Sequence, residues 1–277
     1  MKWFTEYWTD NVKFSIRIKK LVYTKETKFQ KLEIYDSYEF GRFLTLDGYM
    51  MVNEKDEFIY HEMIVHVPMN VKPNVKNVLV IGGGDGGTVR ELLRYNDLES
   101  IDMVEIDEEV VRACQEFLPL IAHKLNDSKV NLIFADGIEY VATTEKSYDL
   151  IIVDSTDPIG PGASLYKNQF YKDCYRILTE DGILVNQHES PYFDDTRSEM
   201  KKINKKLRAI FPLATVYQAF IPTYPSGHWL FGFASKKFTP DYRGNTDLLA
   251  KLKLRYYNQE VHKGSFALPN YVKEELR

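Results

Sequence analysis

The chain has only two cysteines in 277 residues, Cys114 and Cys174, and they form no Cys-x-x-Cys pair. A zinc ribbon and a dithiol redox motif are excluded, and each cysteine is expected to be a reduced, buried thiol. No run approaches the roughly 18 apolar residues of a membrane span. The opening Met1-Lys2-Trp3-Phe4-Thr5-Glu6-Tyr7 meets charge too early for the apolar core of a secretion signal. The cytoplasm is therefore the expected compartment, and Asn126-Asp127-Ser128 is a chance match to the glycosylation pattern. An excess of one charge is also missing: 36 basic and 40 acidic residues mix along the whole length for a net charge of -4. No basic stripe exists to follow a phosphate backbone, so neither nucleic acid nor a membrane is an expected partner. Internal repeats and low-complexity tracts are absent. His61-Glu62-Met63-Ile64-Val65-His66 is one residue too long for the H-E-x-x-H zinc motif, which sets its histidines about 140° apart on a helix. There is no G-x-S-x-G nucleophile elbow either.

An apolar fraction of 44% is ordinary for a globular chain, and the length suits one large domain plus a smaller one. From Val12 to Val52 the sequence reads as short strands rich in Tyr, Phe, Ile and Val, with a turn at Asp47-Gly48. A small antiparallel sheet is predicted for residues 1–55. Asp56 to His66 switches to helical spacing, and Pro68 and Pro73 mark a stop. Beyond Lys76 the apolar runs NVLVI, IDMV, VNLIF, YDLIIV and GILVN alternate with helix-like segments, the signature of βαβ units. Residues 56–277 are thus expected to form an α/β, Rossmann-like, doubly wound sheet. Leu213 to Phe220 and Trp229 to Ala234 have a connection too short for a parallel crossover and should form an antiparallel edge. The basic run from Lys201 to Lys206 falls on an amphipathic helix and is expected to be a solvated face.

In such a sheet ligands sit outside the carboxyl ends of the strands. Here those ends are acidic: Asp85 lies in the loop after the first, Glu105 and Asp107 after the second, Asp136-Gly137 after the third, Asp154 and Asp157 after the fourth. Gln187 follows the fifth. Gly82, Gly84 and Gly87 fit G-x-G-x-x-G between a strand and a helix, a nucleotide signature in which Glu105 is placed to accept from ribose hydroxyls. Asp85 inside that loop would repel a dinucleotide pyrophosphate and would stabilise a cation, which points away from NAD and toward a ligand carrying an amine. Asp136 suits an adenine amine beside the Gly137 amide, and it also suits a helix N-cap. Asp154 and Asp157, three apart before a loop with Pro158, Gly160, Pro161 and Gly162, could hold a metal, hold a cation or share acid and base roles. A metal would call for a His or a third carboxylate that this loop lacks. The Pro/Gly-rich loop itself can act as a lid.

GGGDGG, the acidic end of the second strand, DG after the third and DSTDPIGP after the fourth together resemble the polyamine aminopropyltransferases, most closely bacterial spermidine synthases. FQKLEIYDS, LDGYMMVNEKDEFIYHEM and IPTYPSGHW extend the likeness over essentially the whole chain. The resemblance implies a small N-terminal β-domain on a methyltransferase-like Rossmann domain. It implies transfer of an aminopropyl group from decarboxylated S-adenosylmethionine, a co-substrate, to putrescine, with no cofactor or metal, in a homodimer or homotetramer. It further implies that Gln30, Gly82, Gly84, Glu105, Asp136, Gly137 and Pro161 contact the nucleoside and that Asp85 holds the aminopropyl ammonium. Tyr60, His61, Gln187 and Tyr224 would then be diamine-site residues, with Asp154 catalytic and Asp157 orienting the amine. His188, Glu189 and His228 carry no firm family role. Other acceptors (agmatine, cadaverine, spermidine), a putrescine N-methyltransferase and a non-catalytic polyamine-binding protein are the competing readings.

Overall fold

A computed structural model describes residues 1–156 and 167–277. The chain opens with five strands, β1 (Lys2–Thr9), β2 (Val12–Glu26), β3 (Lys31–Ser37), β4 (Arg42–Leu46) and β5 (Tyr49–Asn53), paired antiparallel in that order. The sheet thus starts ten residues before the expected first strand, because Lys2–Thr9 pairs with β2 from Lys2 opposite Ile18 to Thr9 opposite Val12. Asp47 and Gly48 both take positive φ, 51° and 85°, as a two-residue hairpin turn requires. Strand alternation gives the sheet two apolar faces. Phe4, Ile16, Phe43 and Met50 form a cluster of their own, while Leu32, Ile34, Leu44 and Val52 join the main core.

Helix α1 (Glu57–Met69) follows, running through Pro68 into its last turn rather than stopping before it. Proline leaves only one main-chain acceptor without its helical donor there, and Asn70 satisfies the end by donating from its backbone and side chain to the His66 carbonyl. The chain continues through β6 (Asn77–Gly82), α2 (Gly87–Leu92), β7 (Ser100–Glu105), α3 (Glu108–Phe117), α4 (Pro119–Ala122), β8 (Val130–Phe134), α5 (Gly137–Thr143) and β9 (Tyr148–Asp154). Beyond the undescribed segment come α6 (Asn168–Ile177), β10 (Leu178–Gln187), α7 (Asp194–Ile210), β11 (Leu213–Phe220), β12 (His228–Ser235), α8 (Thr246–Leu252), α9 (Gln259–Ser265) and α10 (Asn270–Glu275).

The second sheet has seven strands in the order β11-β12-β10-β9-β6-β7-β8. Strands β6 to β10 are parallel and β12 pairs antiparallel with both β10 and β11, as the short connection requires. Chain order reverses between β6 and β9, so the carboxyl ends of these two neighbours form the crevice in which ligands of open α/β sheets bind. Both cysteines are free and buried, and Lys201, Lys202 and Lys205 lie on the exposed face of α7. Among the described residues no helix is long and apolar enough to cross a membrane.

Helix α1 is buried almost all round, and its acidic and basic residues are buried with it. Glu62, 2% exposed, accepts at 2.8 Å from each of the main-chain amides of Arg255, Tyr256 and Tyr257, tying down the C-terminal segment. The zinc-like histidine pair is thereby accounted for: Glu62 points at backbone, and His66 bonds Tyr95 and Glu91. Glu62→Ala would strand these amides and is expected to cost about 3–5 kcal/mol, with Glu62→Gln costing less. Urea unfolding at fixed protein concentration measures both.

Candidate active site

The glycine loop is dictated by how close two acids come to it. Gly82 pairs with Asp154 across β6 and β9, and the Gly83 amide donates to the Asp154 carbonyl at 2.8 Å. A Cβ on Gly82, whose φ is +81°, would lie 2.2 Å from that carbonyl oxygen, and one on Gly84 would lie 3.0 Å from Glu105 Oε2. Side chains are therefore excluded at both positions. Gly87 leaves room for an imidazole: its Cβ would sit 2.2 Å from His61 Cε1.

Around this loop lies a cleft of about 960 Å³, counting the part open to solvent. Gln30 reaches it from the N-terminal sheet, and Tyr60 and His61 from α1. Gly82, Gly84 and Asp85 form one wall, and Glu105, Asp136, Gly137 and Asp154 come from the next strand ends. A second pocket of about 440 Å³ contains Gln187, Trp229 and Glu6. Tyr60, Met51, Ser155, Thr156 and Tyr224 line both, so the two spaces adjoin. Asp157 and Pro161, with the proline- and glycine-rich loop expected as a lid, lie outside the described residues.

Asp154 lines the first cavity, next in the chain to Ser155 and bonded to Tyr60, both of which line the two pockets. Its Oδ1 accepts from the Tyr60 hydroxyl and its Oδ2 from Thr88 Oγ1, both at 2.6 Å. Burial and then the nearby Asp85 charge push its pKa above the ordinary carboxylate value, and the two hydroxyls only partly offset them. Asp85 goes the other way. Burial opposes its ionisation too, but His61, 3.2 Å away, and the Gly87 amide, donating at 2.7 Å, hold it below the usual range. Two carboxyls at one loop edge are thus driven apart: Asp85 is a standing negative charge and Asp154 a group able to take up a proton.

His61 was expected at the diamine. It lines the first cavity, 2% exposed, with Nδ1 2.5 Å from Glu57 Oε2 and Nε2 facing Asp85. Burial disfavours its charge, but Asp85 and Glu57 outweigh that and raise its pKa well above the ordinary histidine value. Burial likewise lifts Glu105 to about 7, with Asp107 and Asp154 adding to the shift and two backbone amides opposing it. Asp136 caps α5 by accepting from the Ile138 amide and still lines the cavity, so both expected roles are compatible. Gln30 donates to Asp107. Tyr224 donates to the Met51 carbonyl and packs edge-on against Trp229.

Of the residues without a role, His188 is a buried neutral ring, its pKa lowered to about 3 by burial. Glu189 exchanges hydrogen bonds with Gln187 and takes φ +71°. His228 does not line the second pocket; its ring bonds Tyr271 and Gln218. Sequence reasoning missed Thr88, Glu57, Arg90 and Glu6. Only Glu57 carried a local signal, its spacing of four from His61 on the helix. Among the described residues no group of three or more His, Cys, Asp or Glu is arranged to hold a metal ion.

Comparison with known proteins agrees with this geometry. Residues 57–243 match the spermine/spermidine synthase domain and residues 2–54 the spermidine synthase tetramerisation domain. The chain is 61% identical to a polyamine aminopropyltransferase of Clostridioides difficile, over 99% of this chain and 98% of that one. It is 60% identical to one of Clostridium perfringens, over 99% and 97%. Its fold is similar to that of a spermidine synthase crystallised with the transition-state analogue AdoDATO, with TM-score 0.95 and 40% identity over 99% of this chain and 94% of that one. A spermidine synthase from Thermotoga maritima gives TM-score 0.94 and 40% identity over 100% and 94%.

Thr88→Val deletes one of the two hydroxyl donors to Asp154 without changing the volume much. The Asp154 carboxyl is then expected to titrate at a higher pH than in the parent chain, which carboxyl-carbon NMR titration reads directly.

Proposed function

The chain belongs to the spermine/spermidine synthase family and is an aminopropyltransferase, and from that premise we propose that it transfers the aminopropyl group of decarboxylated S-adenosylmethionine to putrescine. The products are spermidine and 5′-methylthioadenosine. The observation that carries this reading is the setting of Asp154: it lines the glycine-loop cavity, is bonded to Tyr60 and Thr88, and precedes Ser155, which with Tyr60 also lines the second pocket.

In this reading Glu105 accepts from the ribose hydroxyls. Gln30, Gly82, Gly84 and Gly137 approach the nucleoside, and Asp136 takes the adenine amine. Asp85 faces the donor's ammonium, and Tyr60, Gln187 and Tyr224 surround the diamine. By resemblance alone, Asp157 orients the attacking amine and Pro161 contacts the nucleoside. Putrescine is doubly protonated in water, and an amine with a reference pKa of about 10.4 must lose a proton before it can attack. The neutral nitrogen forms a bond to the methylene attached to the sulfonium, the carbon–sulfur bond breaks, and its electron pair returns to sulfur as a neutral thioether. Asp154 receives the amine's proton, with Tyr60 holding the carboxyl in line. No step calls for a cofactor. A cytoplasmic location suits these substrates, and self-association through the N-terminal sheet, where Trp3 and Tyr7 are 56% and 62% exposed, suits the domain it matches.

The test is purified protein with decarboxylated S-adenosylmethionine and a panel of putrescine, cadaverine, agmatine and spermidine, with products identified by mass. Spermidine as the dominant product supports the reading, and no transfer to any amine sinks it. A panel is needed because one methylene is worth only about 1–3 kcal/mol in a pocket. Asp154→Asn is expected to lower kcat by about 10²–10⁴-fold while methylthioadenosine affinity stays within about twofold. The Glu105 pKa of about 7 supplies a second check. Its ionised fraction rises from about a tenth at pH 6 to about nine tenths at pH 8, so methylthioadenosine should bind about tenfold more tightly at the higher pH by calorimetry.

A further inference from the structure

Behind the cavity wall the charges alternate without a break. Asp85 meets His61 at 3.2 Å, and His61 meets Glu57 at 2.5 Å. Arg90 donates to both Glu57 oxygens at 2.9 Å and to Glu91 at 3.0 Å, and Arg94 lies 2.6 Å from Glu91. Both ring nitrogens of His61 therefore face carboxylate oxygens, which only accept, and a neutral imidazole has a single N–H to offer. Only the doubly protonated ring satisfies both. The ring lies against Gly87, and at 2% exposure water cannot replace either partner. Glu57 is held in plane by the two-point contact from Arg90.

We propose that Glu57 and Arg90 are positioning residues for the donor's ammonium end: Arg90 orients Glu57, Glu57 fixes His61, and His61 holds Asp85 where the cation must meet it. The groups facing His61 are Glu57 and Tyr60 of α1, Asp85 of the loop, Asp154 of β9 and, through Glu57, Arg90 of α2. The inference rests on the reading of Asp85 as the ammonium's partner.

The first experiment reads the relay in the wild type and uses a variant only for assignment. In ¹⁵N-labelled wild type, with His61 assigned by loss of its signals in His61→Asn, both ring nitrogens are expected to be protonated at pH 8. A singly protonated ring at that pH overturns the proposal. The second compares two ligands by calorimetry: decarboxylated S-adenosylmethionine, which carries the ammonium, and methylthioadenosine, which lacks it. Glu57→Gln and Arg90→Met are each expected to weaken the first by about tenfold and the second by less than twofold, with Arg90→Lys intermediate because it keeps the charge but loses the fork. Equal losses for both ligands, or no loss, overturn it. If a variant does not fold, the wild-type ring protonation decides. Wild type that binds both ligands equally would instead remove the role given to Asp85, a failure of the functional reading and not of the relay.

Discussion

Burying ionisable groups inside α1 is the constraint on which the rest of the structure turns. Glu57, His61, Glu62 and His66 are each at most 9% exposed, and a buried charge is tolerated only when paired and hydrogen-bonded. Each demand recruits a different part of the chain. Glu62 fixes the backbone at 255–257, His66 draws in Tyr95 and Glu91, and Glu57 with His61 engages Arg90 and the glycine loop. Helix α2 and the glycine loop are thus tied to α1 through Arg90 and Asp85. Losing one partner of such a set is far costlier than never having buried it, because the survivor stays charged and uncompensated.

The same economy separates Asp85 from Asp154. Both are carboxyls at the crevice, and burial raises the cost of ionising either one. What distinguishes them is their partners: a cationic ring for Asp85, two neutral hydroxyls for Asp154. A cation stabilises an anion more than hydroxyl donors do, so of these two carboxyls Asp154 is the one that takes a proton more readily. A site that must hold one ammonium and deprotonate another amine needs that inequality.

Much of this was legible in the sequence because it depends on short-range rules. The apolar runs of β6 to β10, the antiparallel pair β11 and β12, and the Asp47-Gly48 hairpin follow from period and turn chemistry alone. The acidic strand ends were legible because topology brings them to one edge. What was not legible is contact between elements far apart in sequence. Nothing near Arg90 announces Glu57, 33 residues earlier, and nothing near Thr88 announces Asp154, 66 residues later. The contact of His61 with Asp85 escaped for the same reason. Its helix spacing was visible, but which loop would pack on that face was not. Strand β1 and its Glu6 escaped because the opening residues were weighed for a leader signal and not for pairing.

The N-terminal sheet is more than an addition to the catalytic fold, and Asp107 is the reason. Its side chain accepts from Thr27 and Gln30 of the β2–β3 turn and caps α3 through Glu109, while its amide donates to Glu105. One residue thus connects the sheet, the helix and the Glu105 carboxyl of the first cavity. Tyr23 and Lys25 of β2 reinforce the link by donating to Glu109, two residues on. Gln30 can therefore reach the cavity only while the sheet is seated against α3. Glu6 and Met51 bring the same sheet to the second pocket, whose wall is completed by Tyr224 bonded to the Met51 carbonyl. The N-terminal sheet lends wall residues to each pocket, so displacing it would open both at once.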